Sequence, residues 1–240
     1  MPPTAGNLVA SSDSVTSVPT KEEDIATRNF GDNGNQKLVQ HSSEISQLQR
    51  SAMTRSTGVL IHETFETGTL GIFTSSDSGF WKVHNRSTAS SNTGPVGGDN
   101  SKYYVHAESS ANFPTRTEYL TSNVFSKTVG YFLGISFSYH MHGDDMGTLA
   151  LEVMAPDSYD TGWSLLWNQS GQTHENSTSD WAVVNLEDTS TGRAYSSQLI
   201  IRFKMTTANG YKGDAAIDSI MVQEYILPST TPTSAGNKLD

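Results

Sequence analysis

The chain has 240 residues, a net charge of −10, 35% hydrophobic and 17% charged residues, and no cysteine. So acidic a chain repels phosphate backbones, which argues against a nucleic-acid partner. The missing cysteine removes disulfide staples, thiolate catalysis and cysteine-based zinc sites, and the Ser, Thr, Asn and Gly that fill the composition suit short strands and many turns rather than a helical bundle.

Residues 1–58 read as an extended N-terminal arm. Met1 to Gly34 is too polar to offset its backbone entropy by burial, so it is expected to order only against a partner, as in a protein packed into a large assembly. Met1-Pro2-Pro3-Thr4-Ala5-Gly6 has neither a basic n-region nor an apolar h-region and does not read as a secretory signal. No apolar run approaches the roughly 20 residues of a membrane span, so no membrane insertion is expected. One helix is predicted, over residues 37–53, with Asn35 as its N-cap. Leu38, Ile45 and Ala52 recur every seven residues, with His41 and Leu48 between them, giving a thin seam of about two heptads. Such a seam suits a short oligomerisation helix, making a homo-oligomer the expectation, or a helix that docks on a neighbour or lies on its own domain. Two heptads are marginal as a coiled coil alone, so these readings stay open.

From Thr57 the texture changes. Candidate strands are Val59–Thr64, Trp81–Asn85, Lys102–Ala107, Thr117–Thr121, Tyr131–His140, Thr148–Met154, Ser164–Gln169, Ala182–Leu186, Gln198–Met205 and Ala215–Glu224, separated by Gly, Asn, Asp and Ser clusters. Ile135, Phe137 and Tyr139 alternate with Ser136, Ser138 and His140. Leu199, Ile201 and Phe203 alternate with Ile200, Arg202 and Lys204. Period two without intervening helices predicts an all-β fold, an antiparallel jelly-roll-like β-sandwich over residues 59–225, followed by a polar tail over 226–240.

Several motifs in order resemble a MAM domain, an adhesion and assembly module. Phe65-Glu66 is similar to the family's opening. Trp81, the Gly94-Pro95 turn with Asp99, the strand Tyr103-Tyr104-Val105 with Glu108, and Leu166-Trp167, Gly171-Gln172 and Trp181 follow at family-like spacing. The strongest match is the hairpin Phe137-Ser138-Tyr139-His140-Met141-His142-Gly143-Asp144-Asp145-Met146-Gly147, and Gly213 to Ile220 resembles the closing strand. The resemblance implies a β-sandwich that binds rather than catalyses. It also implies a hard cation such as calcium, with Glu66, Asp99, Asp214 and Asp218 as the matching carboxylates. The alternative is that these residues cap turns by accepting backbone N–H bonds. Animal members of the family are disulfide-bonded, and a cysteine-free version points to a setting where disulfides are not made, such as a bacterial or viral structural protein.

Other chemistry is sparse. His140 and His142 share a strand face near Asp144 and Asp145, a spacing that suits a metal, but the hairpin motif makes His140 a packing residue. Trp81, Trp167 and Trp181 read as core, whereas Tyr159 and Trp163, in and beside the loop Asp157 to Gly162, read as exposed and suited to glycan contact. Three Asn-x-Ser/Thr sequons, at Asn85, Asn168 and Asn176, arise readily in so Ser/Thr-rich a chain. No nucleophile elbow, phosphate loop or zinc-protease motif occurs, so no enzymatic activity is expected. The reading is a non-enzymatic structural or adhesion protein of a large assembly, most simply a virion tail, fibre-attachment or capsid-surface component. Its expected partners are the assembly's other structural proteins and a host surface protein or glycan. The alternatives are a secreted, extracellular adhesion module and a carbohydrate-binding module.

Overall fold

A computed structural model describes residues 56–158 and 162–226, all within one unit spanning Ser46–Asp240. The helix predicted over 37–53, with Leu38, His41, Ile45, Leu48 and Ala52, lies outside the described residues, as do most of the arm and tail. Twelve strands and one short helix follow in order: β1 Ser56–Glu63, β2 Phe73–Ser75, β3 Trp81–His84, β4 Tyr104–Ala107, β5 Thr117–Ser122, β6 Phe125–Ser126, β7 Phe132–Met141, β8 Thr148–Met154, β9 Ser164–Ser170, β10 Ala182–Asp188, α1 Thr191–Ala194, β11 Gln198–Thr206 and β12 Ala215–Tyr225. They form two six-stranded antiparallel sheets. The first runs β10-β7-β12-β4-β3 with β1 on β12, and the second runs β2-β5-β11-β8-β9 with β6 on β11. Every predicted strand is present, and β1 begins at Ser56 rather than Val59. β2, β6 and α1 were not foreseen. Among the described residues no helix is long and apolar enough to cross a membrane.

Period two explains the core. On β11, Leu199, Ile201, Phe203 and Met205 point inward and are fully buried, and on β7 Leu133, Ile135 and Phe137 do the same from the facing sheet. An aromatic spine joins the sheets. Phe137 meets Phe203 edge-on at 5.0 Å and Trp167 at 5.1 Å, Phe203 meets Phe73 at 6.3 Å, and Phe73 meets Phe65 at 6.3 Å. Phe65 reaches the spine from a backbone with φ 58°, its amide held by Glu63 Oε1 at 2.8 Å. Burial of its ring offsets that strained conformation.

The β7–β8 hairpin depends on glycine for steric reasons. A Cβ at Gly147 would run into the Thr206 carbonyl, and one at Gly143, which has φ 142°, into the Lys212 carbonyl. Asp145 completes the joint: its amide donates to the Lys212 carbonyl at 3.0 Å and its Oδ2 accepts from the Lys212 amide at 3.3 Å. The hairpin motif is therefore a clamp on the loop between β11 and β12.

Two substitutions test this packing by denaturant unfolding. Phe203→Ala should cost about 3–5 kcal/mol, because it removes the spine's centre and leaves a cavity. Gly147→Ala should cost about 1–3 kcal/mol through overpacking against backbone. A loss under 1 kcal/mol for Phe203→Ala would contradict the role given to the spine.

Candidate functional site

The two sheets differ in what covers their outer faces. On the first sheet, loops over 85–103 and 171–181 close over β4, β12 and β7. Val96 N–H donates to the Ser177 carbonyl at 3.0 Å, joining the loops, and the Tyr104 hydroxyl donates to the Arg86 carbonyl at 2.6 Å. Beneath them lies a buried layer of histidines and carboxylates. His140 stacks on His174 at 4.2 Å and meets Trp181 edge-on, while His106 packs beside Tyr104. Neither ring nitrogen of His140 makes a hydrogen bond of ordinary geometry, and the ring is fully buried. Burial first, then neighbouring His174 and His142, pushes its imidazole down to about 3, against a weaker opposite pull from the backbone of Asn176 and Ser179.

The four carboxylates expected to hold a cation separate into two groups. Glu66 Oε1 accepts the amides of Lys102 and Tyr103 at 2.9 and 2.7 Å. Asp218 Oδ2 accepts the Asp99 amide at 2.9 Å and the Ser101 hydroxyl at 2.7 Å, and its Oδ1 accepts the Ser219 amide at 2.6 Å. Asp99 Oδ2 in turn accepts the Ser138 hydroxyl at 2.5 Å. These three residues fix one loop, 98–103, onto the sheet. Asp214 keeps other company: its Oδ1 accepts the amide and hydroxyl of Ser109 at 3.0 and 3.2 Å, and its buried Oδ2 makes no hydrogen bond of ordinary geometry. Among the described residues no group of three or more histidine and acidic side chains is placed to hold a metal ion. The observed hydrogen bonds are those of turn-capping carboxylates, the alternative to calcium ligation. His142 Nδ1 faces the His174 carbonyl at 3.2 Å. A cavity of about 430 Å³ opens beside Asp99, between residues 95–100 and 177–183.

The outer face of the second sheet carries no such cover among the described residues. Register places its outward side chains in rungs across four strands. One rung is Thr117, Thr206, Thr148 and Ser170, the next is Tyr119, Lys204, Ala150 and Asn168, and the third is Thr121, Arg202, Glu152 and Leu165. Arg202 organises the last two. Its guanidinium carbon lies 4.1 Å from the Tyr119 ring centroid and 3.8 Å from that of Trp163, so the cation is held between two rings. Its Nε donates to Glu152 Oε2 at 2.6 Å, and Lys204 Nζ lies 3.6 Å from Glu152 Oε1. In the hydroxyl rung Thr117 pairs with Thr206 at 2.9 Å and Thr148 with Ser170 at 2.8 Å. Trp163, expected to be exposed, is half-buried because Arg202 stacks on it. Tyr159 lies outside the described residues. Of the tryptophans read as core, only Trp81 is buried; Trp167 and Trp181 are half-buried. Tyr119, Glu152 and Arg202 were not singled out from sequence, although the alternation over Gln198–Met205 already put Arg202 and Lys204 on one face. A second cavity, about 420 Å³, lies between the end of β8 and the α1 segment, lined by Val153, Ala155, Asp157 and Tyr195.

The buried layer of the first sheet predicts a shaped acid response. His140 is depressed, so the unfolded chain takes up a proton near 6.5 and the folded chain only near 3; its contribution is whole above 6.5 and lost as pH falls. At about 1.4 kcal/mol per pH unit, roughly 2 kcal/mol is gone by pH 5. Burial pushes the Asp218 carboxyl up to about 6 from 3.8, so it acts in the opposite sense and adds stability as pH falls from 6 to about 4. Glu108, held down to about 2 by His106 and then Lys82, is lost below about 4.5. The summed contribution of these three groups should therefore change little between pH 6 and 4.5 and fall steeply below 4. In Asp218→Asn the decline should begin near pH 6.5. Parallel pH curves for the two proteins, from urea unfolding, would rule out the opposing pair.

Three solved structures share the general architecture. The TmCBM61 structure in complex with β-1,4-galactotriose is 18% identical, with 67% of this chain and 93% of that one covered and a TM-score of 0.43. The K1 cleaved adhesin domain of Lys-gingipain from Porphyromonas gingivalis W83 is 16% identical, with 69% and 98% covered and a TM-score of 0.47. The CBM22-1 xylan-binding domain from Paenibacillus barcinonensis Xyn10C is 12% identical, with 72% and 97% covered and a TM-score of 0.43. The family comparison is more specific: residues 64–226 match the MAM domain, meprin/A5/mu, from just before the Phe65-Glu66 opening to the end of β12. With its opening, hairpin and closing strand all performing definable structural work, the chain belongs to the MAM domain family.

Proposed function

We propose that this protein is a non-enzymatic adhesion module that makes its contacts through the outer face of the second sheet. The observation that carries this reading is the Tyr119–Arg202–Trp163 stack on a four-strand surface that no described residue covers. Trp, Tyr and Arg are the side chains that dominate binding energy when they are pre-positioned, because little conformational entropy remains to be lost. Here the Arg202–Glu152 pair holds the stack in place before any partner arrives. Membership of a family of adhesion modules supports the same reading.

The setting we propose is a large assembly, a virion attachment or surface component, with a cell's extracellular surface as the second reading. A sandwich that holds by packing alone, without cysteine, suits both an environment that makes no disulfides and a rigid body that presents one face. The partners would be neighbouring structural proteins and a host surface protein or glycan. Residues 37–53 would set copy number through the Leu38, His41, Ile45, Leu48 and Ala52 seam. Calcium stays outside the proposal, because the carboxylates are engaged as loop caps.

Surface variants of the full chain test the face. Tyr119→Ala and Lys204→Glu should each weaken attachment to the native assembly or target at least tenfold with melting temperature preserved, whereas Val183→Arg, at a position 61% exposed on the first sheet, should leave it unchanged. The opposite pattern would move the contact to the first sheet. Isolation from the native source with electron microscopy tests the setting: a regular particle carrying the chain in fixed copy number is expected, and a free monomer would overturn the virion.

A further inference from the structure

The open face has a chemistry more specific than adhesion in general. Its first rung is made of hydroxyls alone across four strands, Thr117, Thr206, Thr148 and Ser170. Hydroxyls both donate and accept, so they match a ligand whose groups do the same. The second and third rungs add two aromatic rings, an amide at Asn168, and the Arg202–Glu152–Lys204 cluster, which offers fixed donors beside a fixed acceptor. Ala150, between Lys204 and Asn168, keeps the middle of the surface low. Four strands span three spacings of about 4.8 Å, or about 14 Å, room for a short linear chain laid across the sheet.

The charges decide between ligand classes. Arg202 is ion-paired with Glu152 at 2.6 Å and sandwiched between rings, with its side chain 18% exposed, so it is not a free anion receptor. Lys204 leans on the same carboxylate. The protein carries −10 overall and repels polyanions at long range. What remains is a rigid, locally compensated surface of hydroxyls, an amide and ring edges. On the basis of the adhesion reading above, we infer that this face binds a neutral polysaccharide, its sugar rings packing against Trp163 and Tyr119 and its hydroxyls bonded by the threonine rung, Asn168 and the Arg202–Glu152 pair. Aromatic packing with a few convergent polar groups is the general form of such recognition.

The full chain is titrated calorimetrically against soluble galactan, xylan and β-glucan, with polygalacturonate and heparin as anionic probes. Binding of at least one neutral polymer and neither anionic one is expected. Trp163→Ala and Tyr119→Ala should each lower that affinity at least tenfold, Thr148→Val with Ser170→Ala together by several-fold, and Trp163→Phe should keep most of it. The Trp163→Phe variant, together with an unchanged melting temperature, separates loss of binding from loss of fold. Binding confined to the anionic polymers, binding indifferent to these variants, or no binding to any neutral polymer would each overturn the inference. If attachment to the native target still depends on Tyr119 and Lys204 while no neutral polymer binds, the adhesion face stands and its ligand is a protein. If attachment ignores those residues, the adhesion reading itself fails.

Discussion

The contact between Phe137 and Phe203 is what the rest of the molecule depends on. One ring comes from β7, the other from β11, and they meet edge-on at 5.0 Å at the middle of the interface between the sheets. With no cysteine to staple the layers, inter-sheet stability comes from buried apolar area and shape fit, which are felt at the scale of single methylenes. Phe73 and Phe65 extend the contact toward the opening of the domain, and Trp167 extends it toward the β8–β9 edge. The opening Phe65-Glu66 thus does two jobs on opposite sides of the backbone. Phe65 completes the spine, while Glu66 holds the amides of the 102–103 turn.

The spine fixes the separation of the sheets, and that leaves two outer faces with different fates. The first is roofed by loops and buries histidines and carboxylates beneath them. Such groups are costly to bury, so each is either hydrogen-bonded or held neutral. His140 takes the second course, and the buried Glu108, bonded to Lys82 and the Ser110 amide, the first. Asp218 does both: its oxygens are bonded to loop groups while burial raises its carboxyl toward neutrality. The polar groups of this face are largely taken up in holding loops in place. Among the described residues the second face keeps its rungs uncovered, and its charges are neutralised by each other rather than by loops. The binding role proposed for it rests on this difference.

Much of the fold was legible because its physical signals are local. Alternation over Tyr131–His140 and Gln198–Met205 assigns alternate side chains to core and surface by geometry alone. β2 and β6 escaped because two or three residues cannot show a period. The one-turn α1 is likewise too short to carry a helical pattern. The partners of the four carboxylates grouped from sequence were not legible either. Asp214, just before β12, is bonded to Ser109, whereas Asp218, within β12, is bonded to Asp99 and Ser101, so the two carboxylates engage segments on opposite ends of β4.

The sequence by itself determined the class of fold, the ten longer strands, their inward faces and the family, since each follows from short-range periodicity or from motif order. Only the tertiary structure decided which outer face is open and which residues meet on it. Tyr119, Glu152, Trp163 and Arg202 come from β5, β8, the segment before β9 and β11, and nothing in their sequence spacing links them. Their meeting depends on strand order and register. Long-range pairing sets both, and a one-residue slip would have turned every one of the strand-borne side chains to the other side.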